Sequence, residues 1–267
     1  MWLTMIELKT LYIPKQFDIE KKNSYQEYVI PPEHPLFGIV WKFYEYEIND
    51  ADFLVFPDAC VDLVFPLTTP SSSGHFLGSY TRVEQAFKVL TGKVFGLSFV
   101  TGSTNYFCPI KMCELIGQAV QIENLLPNSK EVHLQLIEST TFQHRIQHTS
   151  QYLLSHIKED KKVQLVNEAC NLLMNHEGNM MINYLAEKLG YSVRYIRMLF
   201  LDYVGVSPKL LNEIIRFQYS LQSLLKEPTQ ALSEVAWNHG YYDLSHMCKS
   251  YVRFSDLTPK ELMQKVV

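Results

Sequence analysis

The sequence predicts an α+β chain of two domains, a mainly-β N-terminal part followed by an all-α C-terminal part. Three observations carry this. Short apolar runs parted by turn residues occupy the first half, to about residue 127. Beyond Pro127 the apolar residues recur at helical spacing. Between Ile182 and Pro259 the chain says nearly the same thing twice. The expected division is 1–127 for the β-rich part, 128–162 for a helical connector and 163–267 for the C-terminal domain.

At 267 residues two domains are the natural expectation, each with ample core. An apolar content of 47% marks a globular rather than a disordered chain. No run of 18 apolar residues is present, so no membrane span is expected. The stretch Met1 to Tyr12 carries Glu7 and Lys9 and lacks a signal-peptide pattern. The five cysteines, Cys60, Cys108, Cys113, Cys170 and Cys248, are odd in number and form no C-x-x-C pair. That fits a reducing cytoplasm and excludes a disulfide scaffold.

In the first half, Phe37 to Tyr46 alternates imperfectly and is rich in aromatics: Phe37, Trp41, Phe43, Tyr44 and Tyr46. Phe53 to Phe56 and Val61 to Phe65 are short apolar runs separated by Pro57-Asp58-Ala59-Cys60. Pro70 to Gly74 reads as a polar loop. Glu84 to Leu90 and Lys93 to Val100 are strand candidates around Thr91-Gly92, and Asn105 to Ile116 is expected to hold one or two short helices. Short strands at regular spacing give a small barrel or sandwich, here expected as a barrel-like (cupin-like) domain. The mouth of such a barrel can hold a small molecule, but core filling is the preferred reading of the aromatics. Only His34 and His75 precede residue 128, far apart, so neither a metal site nor a cofactor is expected. Asp58 and Asp62 bracket Cys60 with no histidine at a suggestive spacing, and Pro57-Asp58 reads as a turn. No catalytic residue is assigned, and the chain is read as not an enzyme.

In the connector, Ser129–Ser139 and Phe142–Lys158 read as helices, and Val163–His176 opens the next part. His144 and His148 lie four apart on one helix face, without a third ligand nearby. Lys158-Glu159-Asp160-Lys161-Lys162 is a charged break and the expected hinge.

The repeat begins with Ala186, Gly190 and Tyr191, which fall on Ala236, Gly240 and Tyr241. After one inserted residue, Val193, Ile196, Phe200 and Tyr203 fall on Leu244, Met247, Tyr251 and Phe254, and Ser207-Pro208 falls on Thr258-Pro259. Each copy reads as a short helix, a glycine stop, a capping Ser192 or Asp243, and a second helix with one buried stripe. Helix, tight turn, helix is the plan whose second helix enters the DNA major groove. Between the copies Ser207-Pro208 starts a long helix that Pro228 closes, of about 17 residues or roughly 25 Å. Held by such a rod, two reading helices suit successive major grooves. From Val163 onward basic and acidic residues number ten of each, and the whole chain carries −4. Binding must therefore rest on where the positive groups sit, with strong salt dependence.

On Leu185-Ala186, Leu189-Gly190-Tyr191-Ser192, Phe200, Gly205-Val206-Ser207-Pro208, Arg216, Val235-Ala236, Gly240-Tyr241-Tyr242-Asp243, Ser245-His246 and Thr258-Pro259, the last hundred residues resemble the AraC/XylS-type DNA-binding domain. His34-Pro35-Leu36 and Pro57 to Phe65 are similar to the sensor-like domain of one branch of that family. Two departures stand out. Asp256 occupies the place of Gly205, and Asp tolerates left-handed geometry. Met198 stands where the family commonly has a basic residue.

With the apolar stripes buried, the candidate DNA-binding residues are Ser192, Arg194, Tyr195, Arg197 and Met198 in the first unit and Ser245, His246, Cys248 and Lys249 in the second. Arginine suits a bidentate grip on guanine or phosphate, whereas Lys249 suits the backbone. The resemblance implies a sequence-specific transcriptional regulator whose partner is double-stranded DNA. A small effector of unknown identity, RNA polymerase and a second copy of the chain are candidate further partners. The alternatives are a small-molecule-binding barrel enzyme and a protein-interaction scaffold.

Overall fold

The computed structural model describes residues 14–16, 20, 24–48, 54–68, 73–85, 92–108 and 110–266. The leader reading of Met1 to Tyr12 and parts of the expected 70–74 loop and 84–90 strand lie outside them.

Among the described residues, eight strands form the N-terminal part: β1 (Gln26–Val29), β2 (Val40–Ile48), β3 (Leu54–Val55), β4 (Asp62–Pro66), β5 (His75–Leu77), β6 (Glu84–Gln85), β7 (Gly92–Phe99) and β8 (Ala119–Gln121). Six make an antiparallel sheet in the order β1-β2-β7-β4-β5-β8, and β3 pairs with β6 apart from it. Strands β1, β5 and β8 escape the sequence reading because three or four residues carry no readable alternation. Helix α1 (Met112–Leu115) falls inside the expected helical stretch.

Successive side chains of a strand point to opposite faces, so the pleat sorts the aromatics of β2. Phe43 joins Leu63, Phe65, Phe76, Phe95, Leu97 and Phe99 in one core. Tyr44 and Tyr46 face the other way, with Val64 and Val94. The first core is closed by α2 (Ser129–Glu138) and α3 (Phe142–Leu154), through Val132, Leu136, Ile146, Tyr152 and Leu153. The connector helices thus pack on the sheet. Helix α3 stops at Leu154, short of Lys158, and the Ser155 hydroxyl donates to the Tyr152 carbonyl at 2.7 Å.

One buried cation ties these layers together. Arg145 and Glu45, 5% and 2% exposed, pair at 2.9 Å. The same guanidinium donates to the Leu136 carbonyl at 3.0 Å and to the Ser139 carbonyl. Its fork satisfies carbonyls at the end of α2 that helix geometry leaves without partners. Lys93 meets the other Glu45 oxygen at 2.7 Å.

The C-terminal part comprises α4 (Lys161–Asn175), α5 (Ile182–Leu189), α6 (Val193–Tyr203), α7 (Pro208–Lys226), α8 (Leu232–Asn238), α9 (Leu244–Ser255) and α10 (Pro259–Val266). At 19 residues α7 is about 28 Å long. No helix among the described residues is long and apolar enough to cross a membrane. Within the charged 158–162 run, Asp160 caps α4, its carboxylate accepting from the Lys162 amide at 2.7 Å.

The two parts share a core. Phe56, Ala59 and Val83 belong to the cluster that holds Val166, Leu173, Phe200, Ile214 and Phe217. Gln218 on α7, with no exposure, donates to the Pro57 carbonyl and accepts from the Lys15 amide, both at 2.9 Å. At the other end Lys111 reaches Asp202 at 3.4 Å, setting α1 against the end of α6.

Removing one partner of a buried pair leaves its counter-ion short of compensation. Arg145→Ala is predicted to cost about 3 kcal/mol, the lower end for such a loss because Lys93 still serves Glu45. A urea melt followed by circular dichroism checks this, and an unchanged midpoint contradicts it.

Candidate nucleic-acid interface

The repeat read in the sequence returns as repeated hydrogen bonds. The Tyr191 amide donates to the Ala186 carbonyl at 3.0 Å, and the Tyr241 amide to the Ala236 carbonyl at 2.9 Å. Gly190 and Gly240 take φ of +73° and +71° to make this turn. Ser192 accepts from the Tyr195 amide at 3.2 Å and Asp243 from the His246 amide at 2.7 Å, each capping its second helix. Asp256 sits at φ +57°, as its match with Gly205 requires. Thr258 and Glu261 complete a reciprocal capping box at α10, with bonds of 3.3 and 2.8 Å.

The two turns differ in surroundings. A Cβ on Gly190 would meet nothing within 4 Å, whereas one on Gly240 would lie 2.1 Å from the Asn179 amide oxygen. Asn179 belongs to the loop after α4, which also holds the long helix. Arg216 donates to the Gly178 carbonyl at 2.8 Å and Asn212 to the Met180 carbonyl at 2.7 Å. On the other side of α7, Ser220 meets the Tyr251 hydroxyl at 3.1 Å, and Phe217 packs edge-on against the Tyr251 ring at 5.0 Å.

Ile196, Leu199 and Phe200 of α6 are buried, as are Met247, Tyr251 and Phe254 of α9. Leu244, expected in the buried stripe, is 38% exposed because it stands in the first turn of α9. Opposite the stripe of α6, Arg194, Arg197 and Met198 are exposed and Tyr195 is half-buried, stacked on Tyr191 at 5.2 Å. Ser192 is exposed at the helix start. On α9, Ser245, His246 and Lys249 are exposed and Cys248 is half-buried. His246 is partly committed to the turn, its Nδ1 accepting from the Tyr242 amide at 3.3 Å. Arg253 is tied to Glu213 at 2.5 Å. The sequence reading missed Leu201, which extends the α6 face, and the exposed Trp237 and Tyr242 of the second unit. Tyr242 could have been found as the residue inserted into the second copy just ahead of its cap.

A second feature lies on the far side of the sheet. Lys42, Tyr44, Tyr46, Asp58, Asp62 and Trp41 help to enclose a cavity of ≈ 70 Å³. Trp41, Tyr44 and Tyr46 are buried, as the core-filling reading expects, and they line this cavity as well, Tyr44 and Tyr46 on the face of the sheet away from Phe43. Pro57-Asp58 does turn, with Ala59 at φ +60° and the Asp58 carboxylate accepting from the Cys60 amide at 2.9 Å. That carboxylate also takes a bond from Gln16 at 2.8 Å, and Asp62 accepts from the Tyr44 hydroxyl at 3.0 Å. Burial, reinforced by the charge of Asp62, pushes the Asp58 carboxyl up to about 7, and burial raises Asp62 as well. Burial also holds the Cys60 thiol well above its ordinary value, which keeps it from being a nucleophilic thiolate.

Residues 185–265 match a family model described as a helix-turn-helix domain. No curated protein matches the chain in sequence. Among solved structures the chain is similar to ToxT from Vibrio cholerae. One such structure shares 12% identity at a TM-score of 0.42, covering 92% of this chain and 99% of that one. Another, ToxT with a bound unsaturated fatty acid, shares 15% identity at a TM-score of 0.39, with coverages of 91% and 95%.

A carboxyl raised on folding keeps a proton that the unfolded chain has released. Asp58, near 7 in the fold and about 4 when unfolded, therefore favours the native state at low pH, and this contribution is lost as pH rises through that window. Denaturation midpoints are predicted to fall between pH 5 and pH 8, and to fall less in Asp58→Asn. An equal slope in the variant contradicts the assignment.

Proposed function

We propose that this chain, with its AraC-type helix-turn-helix domain, is a sequence-specific DNA-binding transcriptional regulator whose DNA-bound state is set by a small effector acting on the N-terminal part. The observation that carries the first half is the exposed Arg194 and Arg197 edge of α6 on a unit whose copy, with Lys249 exposed, is held by the same long helix. Two arginines three apart on a helix reach the same side. A planar guanidinium can fork onto guanine O6 and N7, and the exposed Met198 and Leu201 beside it suit thymine methyl groups. Lys249 suits a phosphate, and Ser192, the cap of α6, and Ser245, in the first turn of α9, stand at helix starts, where backbone amides favour phosphate oxygens. Tyr195, His246 and Cys248 complete the proposed contact set.

The effector half is supported by the cavity and by its link to α7. Asp58 lines the cavity, and the carbonyl of the preceding Pro57 accepts from Gln218 midway along the helix that joins the two reading units. A ligand that shifts Asp58 thereby shifts the orientation of both. In this reading residues 1–127 sense, 163–267 read DNA, and 128–162 joins them while packing on the sheet.

On a site selected from random DNA, Arg197→Ala is predicted to weaken specific binding by about 1–3 kcal/mol, as for one good base contact. A gel shift at fixed salt measures it, and unchanged affinity and footprint remove Arg197 from the contact set. Lys249→Ala is predicted instead to reduce the slope of log affinity against log salt by about one, with little change in sequence preference.

A further inference from the structure

The second copy of the repeat carries one residue that the first lacks. The first copy passes directly from Tyr191 to its cap Ser192, whereas Tyr242 stands between Tyr241 and the cap Asp243. The insertion places an extra backbone amide beside the start of α9, and a side chain uses it: the Tyr242 amide donates to Nδ1 of His246 at 3.3 Å. In the match between the copies His246 falls on Tyr195. Both rings pack on the tyrosine that follows the turn glycine. Tyr195 stacks on Tyr191 at 5.2 Å, and the imidazole stands edge-on to Tyr241 at 5.4 Å and 81°.

These contacts decide what the imidazole can offer. A ring nitrogen that accepts from an amide carries no hydrogen, so the neutral ring keeps its hydrogen on Nε2. Tyr241 is 4% exposed and gives the ring a fixed wall. The His246 amide donates to the Asp243 carboxylate at 2.7 Å, which fixes the backbone beneath. His246 itself is exposed, in the first turn of α9, with Lys249 three residues on and exposed on the same side. A histidine free to turn could present either nitrogen, as donor or as acceptor. This one has its acceptor spent inward and one N–H left to offer.

A lone donor discriminates among base edges. In the major groove guanine presents two acceptors, N7 and O6, and cytosine an amino donor. Adenine sets a donor beside its acceptor, and thymine a methyl group. Residues at the start of a reading helix are the ones that meet base edges. Resting on the reading of the chain as a DNA-binding regulator, we propose that His246 selects guanine in the half-site of the second unit, donating from Nε2, and that the inserted Tyr242 fixes that donor in place.

Two measurements on the full chain test this. Without DNA, long-range proton–nitrogen correlation spectra in neutral buffer are expected to show His246 with its hydrogen on Nε2, the signal being identified by its loss in His246→Gln. The Nδ1–H tautomer, or an even mixture, overturns the proposal. With DNA, the wild-type chain is expected to select guanine at one position of one half-site from random sequence. His246→Ala should erase that preference alone and weaken the guanine site by about five- to tenfold, the lower part of the range for a good base contact. His246→Gln, whose amide pairs with adenine N6 and N7, should move the preference to adenine, and it decides the matter if His246→Ala does not fold. Equal weakening whatever the base, as for a phosphate contact, or guanine retained in both variants overturns the proposal and leaves the DNA-binding reading standing. If the wild-type chain selects no sequence, that reading falls and takes the proposal with it.

Discussion

A helix buried along its length must satisfy its polar side chains from inside the protein, and α7 is organised by that constraint. Asn212, Gln218 and Ser220 are 7%, 0% and 0% exposed. Each finds a partner in a different neighbour: the Met180 carbonyl ahead of the first unit, the Pro57 carbonyl of the N-terminal part, and the Tyr251 hydroxyl of the second unit. An unpaired amide in such a place costs about 1–3 kcal/mol, so each bond specifies a position as well as holding it. The apolar stripe of α7 would pack against many surfaces. Its polar groups accept only one arrangement of the three parts.

What the sequence discloses follows from the reach of the forces involved. The turns of both units are legible because a left-handed turn and a helix start place local demands on residue type. Glycine at 190 and 240, Ser192 and Asp243 as caps, and even Asp256 in place of a glycine follow from those demands. The exposed faces of α6 and α9 come with the buried stripes, apart from Leu244. The cavity is another matter. Which face Trp41 and Tyr44 take depends on the pleat and on an irregular register between Val40 and Lys42, and both are settled by pairing with β7. Long-range links are silent in the sequence: Glu45 finds Arg145 a hundred residues away, and Pro57 finds Gln218 at 161. Nothing local marks either member. The aspartates flanking Cys60 were visible, but their shared setting was not.

The coupling between the parts is short in covalent terms. Asp58 faces the cavity, Pro57 beside it faces α7, and Ala59 one residue further is buried in the C-terminal core. One turn of backbone therefore touches the cavity, the long helix and the C-terminal core together. A second contact, Lys111 with Asp202, lies at the end of α6, so the first reading helix is held at its far end by the N-terminal part while its arginines stay exposed. In the proposed reading, a change of state needs only a small displacement of that turn, because close-packed cores pass on movement rather than absorb it.

The unequal crowding at Gly190 and Gly240 bears on how such a protein can diversify. The first turn opens onto unobstructed space, so a side chain at 190 is limited only by backbone conformation, while Leu185, Ile196 and Phe200 anchor the hairpin in the core. The second turn is interlocked with Asn179, and a transplanted hairpin would have to bring its own version of that loop. If the chain reads DNA as proposed, side chains at the first turn are the more accessible route to new operator preferences, with the second hairpin serving as the fixed datum against which spacing on DNA is kept.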